Sequence, residues 1–136
     1  MDLIILDEAR KELELRIRSG FPSQGYLLGR KTGPGWFVQK IFCLPWKELL
    51  DPETFFRVEE NQALEVLGVF NLNSRVNSRE KLYRPLFAGK VFLQAKVESR
   101  GQLKFRASLI DFEGKFRSHP LSRIIIDLEG IHDREK

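Results

Sequence analysis

The chain has few of the side chains that hold metals or carry out covalent catalysis. Its 136 residues include one cysteine, Cys43, and two histidines, His119 and His132. A single cysteine excludes an internal disulfide and a cysteine-based zinc site, and it fits a reducing, cytoplasmic setting. Cys43 lies in an apolar stretch, so a small buried hydrophobe is the simpler interpretation than a nucleophile. Zinc hydrolases and Ser-His or Cys-His enzymes need a placed imidazole, and the scarcity of histidine argues against both classes.

Long apolar runs are also absent from the sequence. No stretch approaches the ~20 residues of a membrane span. Residues 3–6 are too few for the core of a signal peptide, and no basic region precedes them. We therefore expect no membrane partner. The length fits one domain over residues 1–136, with a frayed tail at 131–136.

What the chain does contain is enough apolar surface for a core and an uneven distribution of charge. Hydrophobic residues make up 42% of the sequence, and 11 of them are phenylalanine. Residues 74–106 hold nine basic side chains against two acidic ones, although the net charge of the whole chain is only +4. This segment is a candidate surface for an acidic partner or for nucleic acid, unless folding disperses its charges.

The first half of the chain predicts a short strand, a helix and a hairpin. Residues 3–6 form an apolar strand, Asp7 is a helix N-cap, and the helix continues to Ser19. Residues 12–18 alternate and would also fit a strand, but their composition favours helix. Two apolar runs, 24–31 and 36–44, flank a Gly-Pro-Gly turn and predict a hairpin. The turn lacks the Gly-Lys-Ser/Thr of a phosphate loop.

The second half predicts mainly strands. The expected elements are a loop or single helical turn at 45–52, a strand at 55–58, a connection at 59–63, a central strand at 66–72, a helix from Ser78 toward Arg84, and strands at 90–99, 102–112, 115–116 and 121–128. The fold class that follows is α+β, with a mixed central sheet flanked by helices.

Two phrases of the sequence resemble the JAB/MPN (JAMM) metalloprotease-like family. That family has a Gly-x-Leu-x-Gly strand, which Gly25-Tyr26-Leu27-Leu28-Gly29 matches. A later Gly-Val-aromatic strand leads into the family's His-x-His signature, and here Gly68-Val69-Phe70 leads into Asn71-Leu72-Asn73. The resemblance spans roughly residues 3–112 and implies the sandwich that JAB/MPN domains share with cytidine deaminases.

The chain departs from the family at every zinc-site position. The two histidines fall on Asn71 and Asn73, the serine on Lys81 and the aspartate on Arg84, and no carboxylate precedes the first glycine strand. The resemblance therefore implies a catalytically inactive member with no metal, no cofactor and no catalytic residues, acting as a protein-binding or scaffolding module. These four residues are the candidate binding pocket, which would grip a carboxylate. The simpler reading of each is a solvated loop or helix start.

Four aromatic residues form the candidate partner surface. Trp36 and Trp46 flank the second hairpin strand, and we expect one of them in the core and the other at an interface. Phe55 and Phe56 would present one ring on each face of their predicted strand. An exposed ring would support the homodimer that the family resemblance implies.

Two alternatives remain open at this point. One is a JAMM-like, metal-dependent peptidase or isopeptidase with a rearranged site, drawn from Asp111, Glu113, His119 and Asp127. The other is nucleic-acid binding through residues 75–106, with Phe87, Phe92 and Phe105 stacking between the basic side chains. Apolar neighbours of these three phenylalanines favour core positions instead.

Overall fold

The computed structural model describes residues 2–19, 23–33, 35–72, 79–97, 101, 103–121 and 123–126. Its elements in chain order are β1 (Asp2–Ile5), α1 (Asp7–Ser19), β2 (Gln24–Thr32), β3 (Gly35–Cys43), α2 (Trp46–Leu49), α3 (Pro52–Gln62), β4 (Glu65–Asn71), two 3-10 turns (Arg79–Leu82 and Pro85–Phe87), β5 (Val91–Val97), β6 (Leu103–Phe112), β7 (Phe116–Pro120) and β8 (Ile124–Ile126).

All eight strands belong to one mixed sheet, in the order β7-β6-β5-β4-β2-β3-β1-β8. The pairs β1/β3, β1/β8 and β4/β5 are parallel, and the other pairs are antiparallel. Ala107 on β6 and Ile124 on β8 pack in the same apolar cluster, although five strands lie between β6 and β8. The sheet therefore curls into a half-barrel that brings its two ends together.

Two apolar clusters lie on opposite faces of this sheet. The inner cluster, around which the sheet curls, includes Leu3, Leu13, Val38, Phe70 and Leu93, with α1 contributing Ala9 and Leu13. The outer cluster includes Tyr26, Leu49, Phe55, Val69, Leu82, Phe87 and Phe92. α2, α3 and the two 3-10 turns supply its helical members and cover that face. Both faces of this sheet are apolar and must be shielded from solvent. The inner face is covered by α1 and by the curl of the sheet, and the outer face is covered by α2, α3 and the two 3-10 turns.

The expected α+β sandwich, a mixed sheet flanked by helices, is wrong. Just under half of the described residues are strand, and the curled sheet itself is the main structural layer. The reason lies in residues 91–126, where the described elements are four strands in succession. A sheet extended in this way buries one face by curling upon itself. Among the described helices, none is long and apolar enough to cross a bilayer.

The strand, helix and hairpin predicted for the first half of the chain are confirmed, but Asp7 is the first residue of the helix and not its N-cap. Residues 12–18 are helical, and the hairpin forms between β2 and β3. Ion pairs of Arg10 help to stabilise this helix. Its Nη2 atom lies 2.8 Å from Asp7 Oδ1 and its Nη1 atom lies 3.0 Å from Glu14 Oε1, and a helix brings residues at these i,i+3 and i,i+4 spacings together. The hydrogen bond from Arg10 lowers the pKa of Asp7 below its usual value. Of the two expectations for residues 45–52, a loop or a single helical turn, α2 bears out the helical turn.

The strand predicted at 55–58 is wrong, because this segment lies in α3. Asp51 is the N-cap, accepting a hydrogen bond from the Glu53 amide at 3.3 Å, and Pro52 occupies the first turn. Phe55 and Val58, three residues apart, face the outer cluster. The helix predicted toward Arg84 is also replaced by the two 3-10 turns. Its predicted cap, Ser78, lies outside the described residues.

The parallel pair β4/β5 requires glycine at position 68. A Cβ added there would lie 2.0 Å from the carbonyl oxygen of Val91, which is backbone and cannot rotate away. We expect Gly68→Ala to destabilise the protein by about 3 kcal/mol, at the upper end of overpacking costs. The measurement is the midpoint of urea unfolding.

Gly33→Asn is the matched control for this substitution. Gly33 has a φ of +57° and no atom near a built Cβ, and asparagine tolerates that conformation. The urea-unfolding midpoint of Gly33→Asn should stay close to that of the unmodified chain. Equal midpoints for the two variants would contradict the close approach of β4 and β5.

Candidate binding site

A row of polar side chains crosses the sheet where β4 ends. Asn71 is in register with Gln24 on β2 and with Gln94 on β5, and Gln94 is in register with Arg106 on β6. Residues in register point to the same face of a sheet. Two residues further along each strand, the next row of in-register residues on the same face contains Tyr26, which belongs to the outer cluster. The polar row therefore lies on the outer face, at its rim.

The amides of this row hold the rim together. Asn71 is only 3% exposed and is the one buried polar side chain among the described residues. It is engaged in a noncovalent interaction. The Gln24 Nε2 atom donates to the Leu44 carbonyl at 3.0 Å, and the Ser23 hydroxyl donates to Gln24 Oε1 at 3.1 Å. Amide oxygens are poor ligands for zinc. Within the described ranges, no group of three or more His, Cys, Asp and Glu side chains is placed to hold a metal ion.

The other members of the predicted pocket lie on the 3-10 turns. Lys81 places its Nζ atom 5.0 Å from the centroid of the Trp46 ring, within the range of a cation–π contact. Arg84 is exposed and precedes the second turn. In the part of the chain that the structure describes, no hydrogen bond or ion pair joins either cation to Asn71. Asn73, the fourth predicted residue, lies outside the described residues.

A buried tyrosine fixes the position of α2, and with it Trp46. Tyr26 is fully buried, and its hydroxyl donates to the Leu49 carbonyl at 2.6 Å. Its ring also packs edge-on against Phe55, with 5.7 Å between centroids. Burial raises the pKa of Tyr26 well above its usual value, so the phenol stays neutral and remains a donor.

Aromatic and basic side chains of α2, the 3-10 turns, β6 and β7 form a surface beside the outer cluster. Trp46 and Lys81 begin it, Tyr83 stacks on Phe116 with 5.8 Å between centroids, and Phe116 contacts Phe112 at 4.9 Å. Trp46, Tyr83 and Phe116 are half-buried against the outer cluster, whereas Phe112 is 53% exposed. We call these five residues the aromatic–basic strip. The exposed cations Arg84 and Lys115 border it in the sequence.

Sequence reasoning missed three members of the strip, namely Tyr83, Phe112 and Phe116. Only the β6/β7 hairpin, which sets Phe112 opposite Phe116, and the 3-10 turns bring them together. The one local signal was the pair of phenylalanines on either side of the Glu113-Gly114 turn, a spacing typical of cross-strand partners.

The predicted partner surface does not form one patch. Trp36 packs against the inner cluster with Lys31 over its ring at 4.2 Å, whereas Trp46 packs against the outer cluster. Phe55 is buried in the outer cluster. Phe56, on the exposed side of α3, is 59% accessible and stacks edge-on upon Phe55.

The residues of the rearranged-hydrolase alternative are engaged in surface pairs. His119 Nε2 lies 3.6 Å from Asp111 Oδ2 on an exposed part of β6 and β7, and Glu113 pairs with Arg117. Asp127 lies outside the described residues. Exposed pairs of this kind are ordinary surface features and give no sign of an activated group.

The nucleic-acid alternative loses the rings it required. Phe87 and Phe92 are fully buried in the outer cluster, and Phe105 is half-buried against the inner cluster. Bases stack on exposed aromatic faces, so the two buried rings are not available to them. Of that alternative, the exposed cations and the half-buried Phe105 remain.

The fold is similar to a solved structure. The solution structure of protein DSY2949 from Desulfitobacterium hafniense aligns with a TM-score of 0.61 and 17% sequence identity, over 96% of this chain and 97% of that one. Likeness at this identity shows the shared fold alone. No family model matches the sequence, and no curated protein matches it.

We expect Tyr26→Phe to destabilise the protein by about 1–3 kcal/mol, because it leaves the Leu49 carbonyl buried without its donor. The measurement is the urea midpoint together with the fluorescence of Trp46, which α2 carries. Tyr83→Phe is the matched control, since that hydroxyl makes no hydrogen bond among the described residues. A midpoint for Tyr26→Phe equal to that of the control would contradict the anchoring role.

Proposed function

We propose that this chain is a catalytically inactive, JAMM-like binding module that holds an acidic protein partner on the aromatic–basic strip. The observation that carries the proposal is the strip itself, where half-buried rings lie beside the exposed cation Lys81. Aromatic side chains are enriched at protein interfaces because they bury a large area at little entropic cost.

The chemistry at the end of β4 supports binding over hydrolysis. The position that the family resemblance assigns to a zinc-binding histidine is occupied by Asn71, with the amides of Gln24 and Gln94 in register on either side. Amides donate and accept hydrogen bonds but do not activate a metal-bound water. This chemistry suits contacts with peptide groups and carboxylates.

The charges around the strip favour an acidic partner. Lys81 and Arg84 are exposed, and neither makes an ion pair with another described residue. An unpaired cation at the rim of an interface steers an acidic partner and raises the rate of association. Trp46 and Phe112, at the two ends of the strip, would supply the apolar contact.

Charge reversal tests this proposal. The double variant Lys81→Glu and Arg84→Glu should bind a purified partner roughly tenfold more weakly, because each reversal replaces attraction with repulsion at the interface rim. The partner is first captured on the immobilised chain and identified by mass spectrometry, and affinity is then measured by calorimetry. Arg30→Glu is the matched control, since Arg30 is exposed at the opposite end of β2 from Gln24.

Equal affinity in the double variant and in the Arg30→Glu control would remove the strip from the binding site. If the captured ligand is nucleic acid, and its binding falls steeply with salt, the nucleic-acid alternative replaces the protein-binding proposal. Hydrolysis of peptide or isopeptide substrates by the purified chain would contradict the inactive assignment.

A further inference from the structure

A second surface, on the other side of the sheet, arises because β7 covers only part of β6. β7 pairs with residues 108–112 of β6, whereas β6 begins at Leu103. The uncovered part of β6 faces β8 across an open groove of about 530 Å³, lined by Phe105, Arg106, Ala107, Pro120, Leu121 and Ile124. This volume is within the range of about 300–1,000 Å³ that ligand sites occupy.

The uncovered edge of β6 has backbone groups that no described residue pairs with. The Ala107 carbonyl accepts a hydrogen bond from the Leu121 amide at 2.9 Å, so the backbone polar groups of Ala107 point away from β5 and into the groove. Alternate residues of a strand point their backbone groups to the same side. The amide and carbonyl of Phe105 therefore point into the groove as well. No described residue hydrogen-bonds to them there.

The side chains around the groove define what could pair with that edge. Phe105, Leu121 and Ile124 pack against the inner cluster and form an apolar floor. Arg106, between Phe105 and Ala107, points to the opposite face of the strand, and Arg123 lies exposed beside Ile124. Neither arginine makes an ion pair with another described residue.

We propose that this groove binds an extended peptide that adds a strand to the free edge of β6. Its amide and carbonyl groups pair with those of Phe105. Its inward side chains are apolar and fill the floor between Phe105 and Ile124, and its outward side chains are acidic and face Arg106 and Arg123. Strand addition of this kind takes affinity from backbone hydrogen bonds and specificity from alternate side chains.

The apolar floor and the free strand edge favour a peptide over other acidic ligands. A nucleic acid offers no backbone amide to the Phe105 carbonyl and no aliphatic side chain to the floor. The groove opens on the inner face, whereas the aromatic–basic strip lies along the outer cluster. The two surfaces are therefore independent, and either proposal can fail without the other.

The test uses the full chain and three blocked synthetic octapeptides. The first alternates valine and glutamate, the second alternates valine and lysine, and the third repeats the first with N-methylated valines. Calorimetry or fluorescence polarisation should give the first peptide an affinity at least ~10-fold above the second, because the arginines repel lysine. The third should not bind, because N-methylation removes the donors needed for strand pairing.

Two further measurements locate the site. Hydrogen exchange at the Phe105 amide should slow when the first peptide binds, since the peptide takes up that donor. Arg106→Glu should shift the preference toward the lysine peptide, whereas Arg84→Glu, a variant beside the strip, should bind the glutamate peptide as the unmodified chain does.

Three results would overturn the proposal. The first is equal binding of the N-methylated and unmodified peptides, and the second is the absence of binding at millimolar peptide. The third is a dimer of the chain, seen by sedimentation, that protects the Phe105 amide and excludes the peptide, since a second copy would then be the occupant.

Discussion

The close backbone contact between β4 and β5 is the constraint on which the other features depend. Gly68 lies against the Val91 carbonyl, with no room for a side chain, and this lets a parallel pair form in the middle of a largely antiparallel sheet. The same pairing sets Asn71 beside Gln94. A shift of one residue would move every side chain of β4 to the opposite face and would break both apolar clusters at once.

Burial on both faces of β4 determines where binding chemistry can lie. Its residues 66–70 are buried and carry no polar side chain, and the polar residues of β4 are the two at its ends, Glu65 and Asn71. The candidate surfaces are consequently found at the rims of the sheet, where strands end or fail to overlap. The aromatic–basic strip borders the outer cluster, and the groove at Phe105 borders the inner one. Each couples an apolar base to exposed cations, a combination that suits an acidic protein segment.

Local sequence signals were sufficient for the elements that local interactions determine. The helix over residues 7–19 and the hairpin at Gly33 follow from periodicity, side-chain pairs and turn chemistry, which act within a few residues. At α3 the local signals conflict, since the aromatic pair Phe55 and Phe56 favours a strand whereas Asp51 and Pro52 favour the start of a helix. In physical terms, the cap and the burial of Phe55 and Val58 on one helical face decide the outcome.

The wrong prediction of a sandwich and the incomplete prediction of the site both arise from long-range strand pairing, and not from local signals. The curl of the sheet depends on β1 lying between β3 and β8, a pairing across more than 100 residues that no local pattern reveals. Tyr83 and Phe116 stack for the same reason, since only the strand order brings the first 3-10 turn beside β7. The polar row from Gln24 to Arg106 likewise crosses four strands. Individual residues of a rim can be guessed from sequence, but their neighbours follow from topology.

The position of β1 also has a consequence for synthesis on the ribosome. β1 is made long before β8, yet its outer edge, formed by three aliphatic residues, is closed only by Ile124–Ile126. Throughout translation of the intervening residues that edge remains a template for pairing with another chain. Until β8 has been synthesised, the exposed edge of β1 on the nascent polypeptide is a site that a molecular chaperone could protect. This interval ends when β8 emerges from the exit tunnel and pairs with β1.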